Sequence, residues 1–185
     1  GPPVDWGDAP DPGYPTLAAS AGAGHILGSD VYLGACVDAE ADGQPTLSAS
    51  GDDASAGAPI FGACAGGDDE DGVTFTSNLL AGQEANVEVV ANADCTLTAW
   101  IDFNADGVWS AGESLFPGGR ALAAGSNTLS FPVPPGAVEG ETYARFRCTS
   151  GGAAPLTGLA PNGEVEDYRV RIGVSLDFGD ASGSH

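Results

Sequence analysis

The chain has 185 residues, with 26 acidic residues against five arginines, no lysine and a net charge of −21. Such a charge repels nucleic acid and anionic membrane surfaces, and no apolar run is long enough to enter a bilayer. Frequent glycine and proline between short apolar runs fit many strands joined by many turns.

Residues 1–72 are loop-like, rich in Gly, Pro, Ala, Ser and Asp, with short strand expected around His25 to Leu33 and an opening strand that packs Trp6. Acids cluster here at Asp38-Ala39-Glu40-Ala41-Asp42, at Asp52-Asp53 and at Asp68-Asp69-Glu70-Asp71. From Gly72 onward the period-two alternation of half-buried strands is clear. It predicts strands over Val73–Thr76, Ala85–Ala91, Cys95–Phe103, Thr128–Val133, Thr142–Cys148 and Asp167–Val174. No segment carries a 3.6-residue apolar stripe. The expected fold is all-β: an antiparallel β-sandwich, Ig-like or jelly-roll-like, with long Gly/Asp-rich loops and few or no helices.

Four cysteines without zinc-like spacing read as two disulfides formed in an oxidising, extracellular compartment. Three pairings are open by count. Alternation puts Cys95 on the face of Leu97, Ala99, Ile101 and Phe103, and Cys148 on the face of Ala144 and Phe146. Both faces point inward, which favours Cys95–Cys148 and leaves Cys36–Cys64 by elimination. On the opposite face lie Arg145 and Arg147, which with Arg169 and Arg171 are expected to pair with carboxylates in solvent. His25 is expected in a loop or at an edge. Trp100 and Trp109 are expected to cover apolar surface.

The run from Asp102 to Glu113 fits D-x-[DN]-x-[DN]-G-x5-E without a mismatch. Calcium takes six to eight oxygens. Asp102, Asn104 and Asp106 offer side-chain oxygens, Val108 a carbonyl, Ser110 a hydroxyl or a held water, and Glu113 both carboxylate oxygens. Gly107 permits the turn. Strand-like flanks make this an EF-hand-like loop on a β scaffold. The competing reading is an Asx-rich hairpin turn that holds no ion. Magnesium, which favours a tight water-rich octahedron, suits the loop less well. A second Ca²⁺ site is open at Asp68, Asp69, Glu70, Asp71, Glu166 and Asp167.

Val4-Asp5-Trp6-Gly7-Asp8-Ala9 recurs as Leu176-Asp177-Phe178-Gly179-Asp180-Ala181. The expected organisation is a module over residues 1–175, followed at 176–185 by the start of another repeat or by an exchanged terminal strand.

Several segments together resemble the bacterial GEVED domain. They are Asp5–Asp11, Asp38–Gln44, Gly67–Phe75, Trp100–Asn104, Ala124–Phe131, Tyr143–Arg147 and Gly163–Tyr168, the last carrying Gly163-Glu164-Val165-Glu166-Asp167. The resemblance implies a secreted β-rich module of surface proteins or secreted hydrolases, and it lends no catalytic residues. Lysine is absent, the histidines are only His25 and His185, and no G-x-S-x-G, H-E-x-x-H or P-loop occurs. The expected role is therefore non-catalytic: an extracellular structural or adhesive module, stabilised by Ca²⁺ and partnered by copies of itself head to tail. The alternative is a calcium-dependent module for surface glycans. Neither nucleic acid nor membrane insertion is expected.

Overall fold

The computed structural model describes residues 1–51, 59–64 and 68–176. The Asp52-Asp53 pair and all of the recurring tail except Leu176 lie outside them. Among the described residues the chain is β throughout, interrupted by single 3₁₀ turns at Ala18–Ser20 and Ala111–Glu113.

The first half supplies short strands: β1 (Val4–Trp6), β2 (Ala23–Ile26), β3 (Cys36–Val37), β4 (Phe61–Gly62), β5 (Val73–Phe75) and β6 (Leu79–Leu80). The second half supplies most of the long ones: β7 (Glu84–Ala91), β8 (Cys95–Ile101), β9 (Arg120–Leu122), β10 (Gly125–Pro132), β11 (Gly140–Thr149), β12 (Gly158–Ala160) and β13 (Glu164–Gly173). All six strands expected from Gly72 onward are present, with ends moved by a few residues. The very short β3, β4, β6, β9 and β12 were not anticipated, because two or three residues carry no measurable period.

Two sheets pack face to face. One has the order β10-β7-β5 and the other β6-β13-β11-β8-β9. The apolar faces read from alternation meet between them: Val87, Val89, Leu129 and Phe131 from the first, with Leu97, Ala99, Ile101, Ala144, Phe146 and Ile172 from the second. Both disulfides pair as expected. Cys95–Cys148 lies within this core, bridging strands of the same five-stranded sheet, and Cys36–Cys64 clamps the β3–β4 hairpin. Closing loops of 53 and 28 residues, the two bridges are worth about 3–4 kcal/mol each in the chain-entropy model.

The sandwich is not the whole molecule. A third sheet, β1-β2-β12, lies outside the five-stranded sheet, with β12 parallel to β2. β6 also runs parallel to β13, so the fold is mixed rather than wholly antiparallel.

This third layer corrects two expectations. Arg145 and Arg147 do not face solvent; both are fully buried, because the third sheet and the loops around Pro15 and Pro155 cover their face. His25 is not in a loop or at an edge. It sits on the central strand of the three and is fully buried. Arg169 and Arg171 do remain in solvent, 3.8 and 3.5 Å from Glu141. Exposed pairs of that kind contribute little.

Candidate functional site: a buried junction of carboxylates and arginines

Between the five-stranded sheet and the first third of the chain lies a polar layer, built from two adjacent strands. β11 presents Arg145 and Arg147, and β13 presents Glu164 to Asp167 just after Gly163, with Arg145 directly opposite Asp167.

Asp167 accepts two parallel bonds from Arg145, Nε to Oδ1 at 2.8 Å and Nη2 to Oδ2 at 2.7 Å. Its Oδ2 also accepts the backbone N–H groups of Asp8 and Ala9, each at 3.0 Å. Arg145 spends its other donors on Pro15 O, at 2.6 Å, and on Thr16 Oγ1, and its guanidinium lies 4.6 Å from the Trp109 ring centroid. A buried ion pair offsets its desolvation only when further hydrogen bonds satisfy its groups. Here every guanidinium N–H has an acceptor, Leu156 O at 3.4 Å included, and the carboxylate accepts four bonds.

Among the described residues no carboxylate is hydrogen-bonded to Arg147, although the charges of Asp5 and Asp167 act on it. Its donors go to Pro155 O, Gly24 O and Gly158 O, and Nε donates to His25 Nε2 at 3.0 Å. His25 is therefore neutral, with its proton on Nδ1 and donated to Asn162 O at 2.6 Å. Burial and the nearby Arg147 charge hold the His25 pKa well below its usual value. Burial, then Arg145, lowers that of Arg147 to about 9.

The other polar residues of the run reach outward in the same way. Glu164 Oε2 accepts Leu33 N–H at 2.5 Å. Val165 N–H donates to Asp5 Oδ2 at 2.7 Å. Glu166 accepts Gly72 N–H at 2.9 Å and the Tyr168 hydroxyl at 2.7 Å. Gly163 has a φ of 98° and packs so closely on Cys148 O that no Cβ fits. Four consecutive residues, 164–167, thus pin residues 5, 8, 9, 33 and 72 to the edge of the sandwich.

Carboxylates accumulate where those segments meet. Asp5, Glu40 and Asp69 each bring an oxygen within 4.8 Å of the others, with Asp5 and Asp69 buried. Oxygens that ligate one Ca²⁺ lie at 2.3–2.6 Å from it, so opposed ligands stand about 4.8 Å apart and the three can share an ion. Trp6 N–H donates to Glu40 Oε2 at 2.9 Å, and Asp38 N–H to Asp69 Oδ2 at 3.0 Å. Burial, a hydrogen bond with Asp38 and the Asp38 and Asp69 charges push the Glu40 pKa up to about 10. Burial raises Glu166 to about 8. Glu164 goes well above its usual range through burial and the charges of Glu166, Asp5 and Asp69.

Asp69 belongs to the acid run 68–71 in which a second site is expected; Asp5 and Glu40, its partners here, lie outside that run. Among the described residues no three of Asp68, Asp69, Glu70, Asp71, Glu166 and Asp167 bring ligand oxygens together as one group, although the charges of Asp69 and Asp71 act on Glu166. Asp167 is committed to Arg145, Asp68 accepts Glu70 N–H, Asp71 accepts Ala35 N–H, and Glu166 holds Gly72. The available signal was the acid at the head of the recurring motif, Asp5, beside the acids at 38–42 and 68–71.

The loop from 102 to 113 folds as a series of Asx turns. Asp102 accepts Gly107 N–H at 3.0 Å and Asp106 N–H at 3.3 Å, and Asp106 accepts Val108 N–H at 3.1 Å. Asn104 bonds both ways with Asp106. Glu113 accepts Phe103 N–H and Ser110 N–H, both at 2.9 Å. Ala105 and Gly107 take left-handed φ values of 55° and 87°. The acids of this loop do not form a three-carboxylate group; among the described residues only Asp5, Glu40 and Asp69 do. A cation bound in EF-hand fashion would require Glu113 to give up its backbone donors.

Beneath the loop, Tyr14, Trp100 and Trp109 form a second apolar cluster, with Tyr143 packed against it, and the Tyr14 hydroxyl donates to Asp102 Oδ2 at 2.5 Å. Both tryptophans are buried, so neither offers a flat exposed face to a sugar ring. Tyr14→Phe should cost about 1.5–3 kcal/mol, the range for a hydrogen bond to a charged group. The check is denaturant unfolding of the variant against the parent, with a loss under about 0.5 kcal/mol contradicting a structural role for this bond.

A family model for the GEVED domain matches residues 96–171. The match runs from β8 to β13 and includes both arginines and the Gly163–Asp167 run, but stops short of the first-third segments those residues hold. No curated protein matches the chain. Among solved structures, the chain is similar to the CARDB domain of a Pyrococcus furiosus protein, solved by NMR. The alignment has 14% identity and a TM-score of 0.31, and it covers 54% of this chain and 89% of that one.

Proposed function

Since the chain carries a GEVED domain over residues 96–171, we propose that it is a non-catalytic structural or adhesive module of an extracellular or cell-surface protein, held in shape by Ca²⁺ and arranged head to tail with copies of itself. The observation that carries this reading is the convergence of Asp5, Glu40 and Asp69 at the seam between the first third and the sandwich. Three like charges in a buried seam repel one another strongly. Arg147, whose charge acts on Asp5, offsets part of this, and near neutral pH a divalent ion neutralises the rest without leaving the carboxylates protonated. The 102–113 loop, with Asp102, Asn104, Asp106, Val108, Ser110 and Glu113, is the second place for an ion. Two disulfides support an oxidising location. Arg145, Arg147 and His25, the residues that would attract suspicion as catalytic groups, are buried and spend their hydrogen bonds on the fold.

The test is thermal unfolding at pH 7.5 in millimolar calcium and in EDTA. Calcium at a hundredfold over its Kd adds about 2.7 kcal/mol per site, or about 5–11 °C in Tm for a domain of this size. Identical melting curves in the two buffers would remove the cation from the account.

A further inference from the structure

The opening segment Val4–Ala9 occupies a closely fitted slot. Its strand pairs with β2, placing Val4 and Trp6 against Gly24, where a Cβ would lie 3.1 Å from atoms of both. Asp5 accepts Val165 N–H, and Asp8 and Ala9 donate to Asp167. Gly7 lies flat on the ion pair: a Cβ there would stand 2.7 Å from Arg145 Nη2 and closer still to Asp167 Oδ2. Asp8 and Ala9 have no exposed surface. The slot is thus strict at positions 5, 7, 8 and 9. At positions 4 and 6 it asks only for an aliphatic and an aromatic side chain.

Leu176-Asp177-Phe178-Gly179-Asp180-Ala181 meets that specification. The four identities with residues 4–9 fall on the four strict positions. The two differences, Leu for Val and Phe for Trp, fall on the permissive ones. A coincidence of composition would not sort identities and differences in this way. The chain also leaves β13 with the alternate apolar residues Val174 and Leu176 exposed by 46% and 71% among the described residues.

We propose that residues 176–181 are a second docking segment, which seats in the slot formed by β2, Val165 and the Arg145–Asp167 pair of another copy of this module. Building on the head-to-tail reading above, this names the contact: one module's last strand runs on to become the next module's β1. Within one chain the resident Val4–Ala9 competes at the millimolar effective concentration of a short tether, so exchange requires that the resident segment be displaced.

The experiment uses the full chain with Gly7→Val, which unseats the resident segment, and a synthetic peptide of residues 174–185. Millimolar peptide should raise the Tm of Gly7→Val, and a peptide carrying Gly179→Val should not. Without peptide, Gly7→Val should form open-ended oligomers in sedimentation runs, and Gly7→Val with Gly179→Val should sediment as a monomer. Where Gly7→Val folds too poorly to sediment, Val4→Leu with Trp6→Phe, which writes the tail sequence into the resident position, should keep a Tm well above that of Gly7→Val. Restoration by both peptides or by neither, a double variant that associates like the single one, or a Val4→Leu/Trp6→Phe chain as unstable as Gly7→Val would each overturn the proposal. Running every arm in calcium and in EDTA separates this idea from the cation reading: complementation with a calcium-indifferent Tm retires the ion and keeps the docking segment, and the converse does the reverse.

Discussion

Arg145→Met should destabilise the protein by about 3–5 kcal/mol, the range for removing one partner of a buried ion pair, or about 6–20 °C in Tm. Methionine fills much of the side-chain volume, so the loss is not a cavity effect. It arises because Asp167 keeps its charge in a fully buried position and loses both bonds from the guanidinium. The carbonyl of Pro15 and the Thr16 hydroxyl lose a donor at the same time. Adding Asp167→Asn should recover part of the loss, because an amide oxygen can still accept from Asp8 and Ala9 without a charge to desolvate. The double variant should therefore fall short of the sum of the singles by 1 kcal/mol or more, within the range found for residues in contact. Arg147→Met gives a useful contrast, since it strands neutral carbonyls and His25 rather than a carboxylate. Denaturant unfolding of the parent and the four variants measures all of this. Strict additivity of Arg145→Met and Asp167→Asn would show that the pair does not act as a unit.

In EDTA, stability should fall as pH rises from about 5 to 8, and calcium should flatten that fall. Glu40 and Glu166 have folded pKa values pushed up to about 10 and about 8 from an ordinary 4.5, and Glu164 moves the same way. Each holds its proton more tightly folded than unfolded. The stabilisation this brings is complete below about pH 4.5 and is lost as pH climbs through the folded values. Each group that takes up a proton on folding costs about 1.4 kcal/mol per pH unit, roughly 3–6 °C for a domain of this size. A bound ion replaces the protons as counter-charge, so in calcium the slope should shrink and calcium affinity should rise with pH. His25 works in the opposite sense. Its folded pKa is depressed, so it penalises the folded state as pH falls below about 6.5, with or without calcium. Melting curves at pH 5, 6.5 and 8 in both buffers separate the two effects. A slope above pH 6.5 that is equally steep with and without calcium would contradict the account.

The sandwich core was legible because period-two alternation survives in strands of seven to ten residues. The same alternation placed Cys95 and Cys148 on one buried face. It misled at Arg145 and Arg147, where a polar face was equated with a wet one. What covers that face is β1, β2 and β12, strands of three or four residues with Gly24 among them, too short and too small-sided to show a period. The layer that buries the arginines is thus written in residues without pattern, and its existence follows from long-range hydrogen bonds such as Asp8 and Ala9 to Asp167. The acid junction was hidden for the same reason. Asp5, Glu40 and Asp69 are far apart in the chain, and only the docking of β1 beside β13 brings them together. The 102–113 loop shows the converse: its spacing was read residue by residue, yet folding turns its oxygens toward its own backbone N–H groups.

The most direct test of the junction is diffraction from crystals grown in calcium, or with a lanthanide in its place, followed by an anomalous map. The account predicts a peak about 2.3–2.6 Å from oxygens of Asp5, Glu40 and Asp69, lost in an Asp5→Asn/Asp69→Asn chain. A featureless seam with those carboxylates bonded only to protein and water would contradict it.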